Sequence, residues 1–401
     1  MLSQILKYRA KLISDSSANP SKIAFAANDD AIISHGSDNE ALLSESVLSR
    51  LKCLAVVTAE PSIPFADFLI KRAAVNEYEI VPRDTETRTF LHDIPILRKS
   101  YVVTESVSKI ADLLSNRKGI IVEGIGIIAT GALTVEQAYI NWSSVFHSTY
   151  IKYLEDLLEY GFMLEGEEIC FEYFRSKQLI PLTSNGLTFN SGPFEKKTII
   201  LEEMVRVGRY TVERHLVDSF FGNISYSNDG LLYISQTASS LDELQCCIDP
   251  VPFENSSTVG ITASSELVAH RSIFDKTGCR AILHGHPRFS VVMSMICSEK
   301  EKCDITDCWR DCSKVRFLGE TPVVAGEIGA GGLARNVPPV IGLSGSAIVY
   351  GHGVFSIGMS DFREAFQSMV DIENWCRTEY FRLLDEKTGK SLPPYPLGNL
   401  K

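Results

Sequence analysis

Two copies of one short pattern constrain the architecture of this chain more tightly than any other feature. Residues 119–131 read GIIVEGIGIIATG and residues 346–358 read SAIVYGHGVFSIG. At an offset of 227, Ile121/Ile348, Val122/Val349, Gly124/Gly351, Gly126/Gly353 and Gly131/Gly358 are identical. Both copies then enter a helical pattern with a shared alanine, Ala138/Ala365. Upstream, residues 55–61 (AVVTAEP) match residues 281–287 (AILHGHP) at an offset of 226, and Phe90/Phe317 return to 227. Apolar strands with the same spacing and punctuation, present twice, point to one fold used twice. At ~150 residues per domain, 401 residues accommodate two such copies.

Local patterns agree. Residues 120–122 and 347–350 are apolar runs of strand length. Residues 135–160 and 362–384 carry apolar side chains at helical spacing, with Phe362, Phe366, Met369, Val370, Ile372, Trp375 and Tyr380 in the second. Residues 165–197 contain Pro181, Ser184-Asn185-Gly186 and Ser191-Gly192-Pro193, turn signals that mark a domain boundary. A helix over 201–218 is expected next, then a strand near 221–225, a turn at Asn228-Asp229-Gly230 and a hairpin partner over 231–235. The expected organisation is a first domain over 1–164, a connector over 165–198, a second domain over 199–386 and a proline-rich tail over 387–401.

The formal net charge of −11 argues against nucleic acid or an anionic membrane as a partner, because a general phosphate-backbone binder carries an excess of base. A small anionic substrate remains compatible, since a pocket can be locally positive inside an acidic protein. Residues 1–17 lack the ~7–15-residue apolar block of a signal peptide. The long uncharged run over 336–360 is interrupted by Pro338, Pro339 and several glycines and serines, so it is read as loop plus strand rather than a membrane span. Ten cysteines without a secretory signal are expected to be reduced thiols in a cytoplasmic protein.

Three of the eight histidines stand in unusual surroundings. His284-Gly285-His286-Pro287 ends an apolar strand, and side chains at i and i+2 of an extended segment point to the same side, so both imidazoles can reach one ion. Pro287 removes a backbone donor and stops the strand. His352 lies between Gly351 and Gly353 after another apolar strand, where missing side chains leave room for a ligand. Three imidazoles with an open fourth position suit catalytic zinc or a similar divalent ion. In the first copy Thr58, Glu60 and Ile125 occupy the matching positions, so the metal ligands are features of the second copy alone. Glu266 opens a helical run towards Phe274. With Ser264 as cap it fits an ordinary helix start, and it also fits a general base and acid beside the metal.

The order Gly222-Asn223-Ile224-Ser225, Ser235-Gln236-Thr237-Ala238, Ser264-Ser265-Glu266-Leu267, His284-Gly285-His286-Pro287, Gly351-His352-Gly353 resembles the class II aldolase/adducin family, the fold of L-fuculose-phosphate aldolase, over about residues 201–384. The resemblance implies an α/β fold: a three-layer α/β/α domain around a mainly antiparallel sheet, preceded by a degenerate copy of the same fold. It implies zinc on His284, His286 and His352, Glu266 as acid and base, and Asn223, Thr237, Ser264 and Ser265 around a substrate phosphate. Short hydroxyls, an amide and backbone N–H groups near helix starts suit a phosphate without a lysine. The family usually has Gly where Ala238 stands, which matters if the backbone there needs positive φ. The implied activity is a divalent-metal-dependent lyase using enediolate chemistry on a small polyhydroxylated, phosphorylated carbonyl compound. The alternatives are an epimerase or dehydratase using the same site, or a non-catalytic adducin-like interaction protein. Epimerases of the family tend to carry Asp at the position of Glu266, so glutamate favours aldolase or dehydratase chemistry. A homo-oligomer, dimer or tetramer, is expected, with a tyrosine from the next subunit as a second proton-transfer group.

Other features carry less. Residues 325–333, AGEIGAGGL, lack the Gly-Lys-Ser/Thr ending of a P-loop and read as a turn before a helix. Cys297, Cys303, Cys308 and Cys312 match no common zinc or iron–sulfur spacing, yet four thiols within 16 residues offer a possible second metal or cluster. His35, His92, His147, His215 and His270 are expected to be structural. Glu40 is the first-copy counterpart of Glu266.

Overall fold

Each half of the chain builds one mixed sheet from short apolar strands, and the computed structural model describes residues 1–98, 103–179, 181–217, 220–254, 256–327 and 329–389. The backbone divides into two compact units, Met1–Leu179 and Ile180–Lys401. The first contains β1 (Ala18–Asn28), β2 (Ile32–Gly36), β3 (Ala55–Pro61), β4 (Glu79–Ile80), β5 (Ile94–Leu97), β6 (Gly119–Val122) and β7 (Gly126–Gly131). The second contains β8 (Asn223–Asn228), β9 (Leu231–Ser235), β10 (Ile248–Pro252), β11 (Ala281–Gly285), β12 (Arg316–Leu318), β13 (Thr321–Val324), β14 (Ser346–Val349) and β15 (Gly353–Gly358).

The sheet orders are β2-β1-β3-β7-β6-β5-β4 and β10-β9-β8-β11-β15-β14-β13-β12. Strand for strand the second repeats the first, with β10 added at one edge. In each sheet one pair is parallel, β5 with β6 and β13 with β14, and every other pair is antiparallel. The repeat in the sequence is therefore a repeat of topology. Phe90 and Phe317 do not correspond, however. Phe90 lies in the Thr85–Leu91 helix, whereas Phe317 lies in β12 and faces Pro322 across a tight hairpin. The first unit inserts a helix between β4 and β5 where the second turns back within two residues, so an offset of 227 meets different elements.

In the second unit the pleat sends Ile282, Ala347, Val349, Phe355 and Ile357 to one face, where they pack with Ile273, Phe274, Leu333, Val337 and Ile341. These come from the Leu267–Thr277, Gly329–Asn336 and Pro338–Ile341 helices and from Val337 at the junction of the last two. The intervening Leu283, Ile348 and Val354 are buried on the opposite face, which the long Phe362–Thr388 helix covers through Phe362, Phe366 and Met369. The result is a three-layer α/β/α unit. In the first unit Ala138, on the Val135–Tyr160 helix, is as completely buried as Ala365 on its counterpart.

The stretch over 165–198 is not one connector. Its first part forms the Glu167–Tyr173 helix, buries Phe171 and Phe174 against Phe65, and pairs Glu167 with Arg72 at 2.7 Å inside the first unit. Its second part belongs to the other unit, where Phe189 meets Phe366 and the Phe194 N–H donates to the Tyr226 hydroxyl. Apolar side chains between the turn signals bind each part to its own core. The helix expected over 201–218 spans Lys197–Glu213. Lys387 and Thr388 of the expected tail belong to the last helix, and residues 390–401 lie outside the described residues. Among the described residues, no helix is long and apolar enough to cross a membrane.

Candidate metal centre

The sheet register brings the second-copy motifs together. His284 is the fourth residue of β11, and Asn223, the first residue of β8, is its cross-strand partner. His286 follows one residue beyond the strand end. His352 lies in the turn joining β14 to β15, next to β11 in the sheet. The donor atoms of the three imidazoles lie within 4.8 Å of one another, and ring centroids are 4.8–5.2 Å apart. The His284 and His286 Nε2 atoms are 3.0 Å apart. Ring nitrogens this close can serve one cation.

The rings are held in place. His284 Nδ1–H donates to the Val354 carbonyl at 3.0 Å, which leaves Nε2 as the free ligand atom. Phe355 stacks on His284 with centroids 4.0 Å apart, and Phe221 stacks on His286 at 5.9 Å. A Cβ on Gly353 would come within 2.4 Å of the Gly285 carbonyl oxygen and 2.6 Å of His286 Cδ2, so glycine is what lets the rings converge. His284 and His286 are 1% and 3% exposed. Burial pushes the His284 imidazole down to about 4, so the ring is neutral at pH 7 and its lone pair is available. Three convergent, pre-oriented imidazoles, two of them buried, fit a divalent ion of the zinc type.

Glu266 faces this group. It occupies the N-cap position of the Leu267–Thr277 helix but makes no side-chain cap bond. Ser264 does not cap the helix as expected; its Oγ accepts from the Glu266 N–H at 3.3 Å. The Glu266 carboxylate, free of the helix, lies 3.2 Å from His352 Nε2 and 3.5 Å from His284 Nε2, and accepts from Asn223 Nδ2 at 2.8 Å. Burial opposes its charge. Attraction to His284 when that ring is protonated, with hydrogen bonds from His352 and Asn223, more than offsets this and draws the carboxyl well below the usual range.

Thr237, Ser264 and Ser265 gather beside Glu266. The Ser265 N–H donates to Thr237 Oγ1 at 3.0 Å, and Thr237 and Ser265 are exposed while Ser264 is buried. Ala238 has φ +58°, so the left-handed turn that favours glycine is present with alanine in it. The departure from the family pattern is absorbed as local strain, not by a change of path.

The cysteine proposal fails. Among the described residues the three histidines are the one such group of possible ligands, and Cys297, Cys303, Cys308 and Cys312 are all free. Cys308 opens the short Cys308–Asp311 helix and Cys312 follows it, with their thiols directed to the Ile305 and Lys314 carbonyls, each at 3.7 Å. The glycine-rich 325–333 stretch is a turn running into the Gly329–Asn336 helix. His270, by contrast, is more than core. It is fully buried and bonds both Asn223 and Ser225, and its place one helical turn after Glu266 was the signal available in the sequence.

Residues 202–380 match the family described as Class II Aldolase and Adducin N-terminal domain. An L-fuculose phosphate aldolase of Methanococcus maripaludis is 26% identical over 184 residues, covering 45% of this chain and 96% of that protein. Among solved structures, l-fuculose-1-phosphate aldolase from Thermus thermophilus is 22% identical with a TM-score of 0.39, covering 48% of this chain and 98% of its own. A sugar-phosphate aldolase from Thermotoga maritima is 19% identical with a TM-score of 0.33, covering 48% and 97%.

Proposed function

Because residues 202–380 form a domain of the class II aldolase and adducin family, we propose that the chain is a divalent-metal-dependent lyase acting on a small, polyhydroxylated, phosphorylated carbonyl compound. The observation that carries this reading is the convergence of His284, His286 and His352, with donor atoms within 4.8 Å, on the carboxylate of Glu266. His284, His286 and His352 would hold the ion, zinc being the best match to three imidazoles. When bound, it supplies Lewis-acid stabilisation of the negative charge that develops on the substrate carbonyl oxygen.

The protein's own groups account for the rest. Glu266, ionised at neutral pH, removes a proton from the carbon beside the carbonyl and returns it in the reverse direction. In cleavage, the hydroxyl proton passes to a second acceptor, the carbon–carbon bond breaks to release an aldehyde, and the carbon that keeps the electron pair is protonated through Glu266, which first takes that proton from water, so one proton is lost and one gained. The hydroxyl proton needs a second acceptor, which the resemblance assigns to a tyrosine of a neighbouring subunit. Asn223, Thr237, Ser264 and Ser265 offer an amide, hydroxyls and helix-start N–H groups to a phosphate. The first unit, with Thr58, Glu60 and Ile125 at the ligand positions and Lys22 bonded to Glu60, serves as scaffold.

The test is a panel of sugar phosphates assayed for aldehyde release, with deuterium exchange into dihydroxyacetone phosphate as the partial reaction. Metal-dependent release that Glu266→Gln abolishes supports the lyase. Exchange without any release assigns the site to an epimerase or dehydratase. A protein that binds no divalent ion and catalyses neither is an interaction module.

A further inference from the structure

We propose that His270 is a positioning residue that sets the orientation of the Asn223 amide and, through it, the aim of Glu266. The inference rests on the reading of Glu266 as the proton-transfer group. His270 touches neither the imidazole ligands' donor atoms nor the open face of the site, and the proposed chemistry leaves it unused.

The hydrogen bonds run in one direction. The Asn223 amide donates through Nδ2 to Glu266 Oε2 at 2.8 Å, which turns its Oδ1 the other way. Asn223 Oδ1 then faces His270 Nε2 at 2.5 Å, and that nitrogen must carry the hydrogen. A neutral imidazole with Nε2–H has a bare Nδ1, which accepts from the Ser225 hydroxyl at 2.6 Å. Burial keeps the His270 ring neutral, pushing it down to about 3. Ser225, His270 and Asn223 thus form a buried relay with a fixed polarity ending on Glu266. With the amide reversed, an oxygen lone pair would oppose the carboxylate and an N–H would meet the imidazole N–H.

The first unit supplies a control within the chain. In matching register its sheet places Ala24 opposite Thr58 and Ala26 opposite Val56, where the second unit has Asn223 opposite His284 and Ser225 opposite Ile282. The helix residue matching His270 is Ser44, whose hydroxyl bonds Thr58 at 2.8 Å. The same strand order therefore forms without any member of the relay. Glu40 is kept at the position of Glu266, so a carboxylate there does not by itself bring the relay with it. Serine, histidine and asparagine accompany the three ligand histidines, and not the fold.

The test compares two variants of the full-length, metal-loaded protein. His270→Gln retains an N–H donor able to reach Asn223, whereas His270→Asn retains an acceptor for Ser225 and loses that donor. Both lose the ring contact with Phe355, which meets His270 edge-on at 5.9 Å, so packing is matched between them. Deuterium exchange into dihydroxyacetone phosphate is read alongside metal content, thermal unfolding and, on the metal-free wild-type protein, ¹⁵N NMR of the His270 tautomer. The expected result is exchange largely retained in H270Q and lowered about 10–100-fold in H270N, the usual effect of losing an outer-shell partner. Both variants should keep full metal content, and the wild-type spectrum should show the neutral Nε2–H form. Equal losses in the two variants, loss of metal in step with activity, or an Nδ1–H tautomer would each overturn the proposal. If wild-type protein shows no exchange, the proposed activity fails, and the tautomer still decides the role of His270. The tautomer also decides it should H270N not fold.

Discussion

Replacing Gly353 with alanine probes the centre through its packing, without removing any ligand. The new Cβ would lie 2.4 Å from the Gly285 carbonyl oxygen, 2.6 Å from His286 Cδ2 and 3.0 Å from His284 Cε1. Reaching ordinary contact at about 3.4 Å requires roughly 0.8–1 Å of movement at the first two atoms. Metal–ligand bonds tolerate about ±0.2 Å. The displacement is several times that tolerance, so divalent-ion affinity should fall by at least the 10–100-fold typical of a disturbed outer shell. Stability of the metal-free protein should fall by about 1–3 kcal/mol from overpacking. The first unit offers the matched control. A Cβ on Gly126 meets the Ala59 carbonyl oxygen at 2.5 Å and Glu60 Cα at 2.7 Å, with no imidazole nearby, and its φ of +118° adds strain. Gly126→Ala should therefore destabilise the first unit and leave ion affinity unchanged. Competition against a chromophoric chelator gives the affinities and thermal unfolding gives the stabilities. Wild-type affinity in Gly353→Ala, or equal weakening in Gly126→Ala, would refute the reasoning.

Three further outcomes follow from the same geometry. Buried His284 and His270, pushed down to about 4 and 3, leave the unfolded chain to take up protons first below its ordinary histidine value of 6.5. Metal-free second-unit stability should therefore be highest above pH 6.5 and fall as pH drops towards 4, by about 1.4 kcal/mol per unit for each group, and a flat calorimetric profile there contradicts it. Asp84, raised by burial to about 6 while capping Thr87, has the opposite sign: its contribution is present at low pH and lost as pH rises through 6. Asp84→Asn should thus stabilise the first unit by about 1–3 kcal/mol at pH 7.5 and by less at pH 5, and chemical denaturation at both pH values checks the difference. Ala238→Gly relieves a left-handed alanine and should raise second-unit stability by about 0.5–1 kcal/mol, whereas a loss would show that Ala238 contributes packing that outweighs the strain.

Much of this arrangement was legible in the sequence because the strands that carry it are short, apolar and repeated. The 226–227 offset locates β3/β11, β6/β14 and β7/β15, and these three pairs fix the centre of each sheet. The i, i+2 histidines ending β11 and the glycine-flanked His352 then had to meet, since β11 and β15 are neighbours. What the sequence hid was contributed by non-local contacts. The boundary within 165–198 depends on which core Phe171 and Phe189 enter, and turn residues do not record that choice. Phe90 and Phe317 share an offset by coincidence, because insertion of a helix before β5 breaks the register. The four cysteines are close in sequence, but Cys308 and Cys312 turn their thiols to separate carbonyls. His270 was passed over because its partners, Asn223 and Ser225, lie 47 and 45 residues away on another element.

The account stands on one cation held jointly by imidazoles that the chain brings from the end of β11 and from the turn between β14 and β15. A crystal of the zinc-loaded protein, with diffraction collected above and below the zinc absorption edge, addresses it without any assumption about substrate. One anomalous peak per chain, about 2.0–2.1 Å from nitrogens of His284, His286 and His352, is the predicted outcome. A map with no peak among these three rings, or with zinc bound elsewhere while they stay apart, would contradict it.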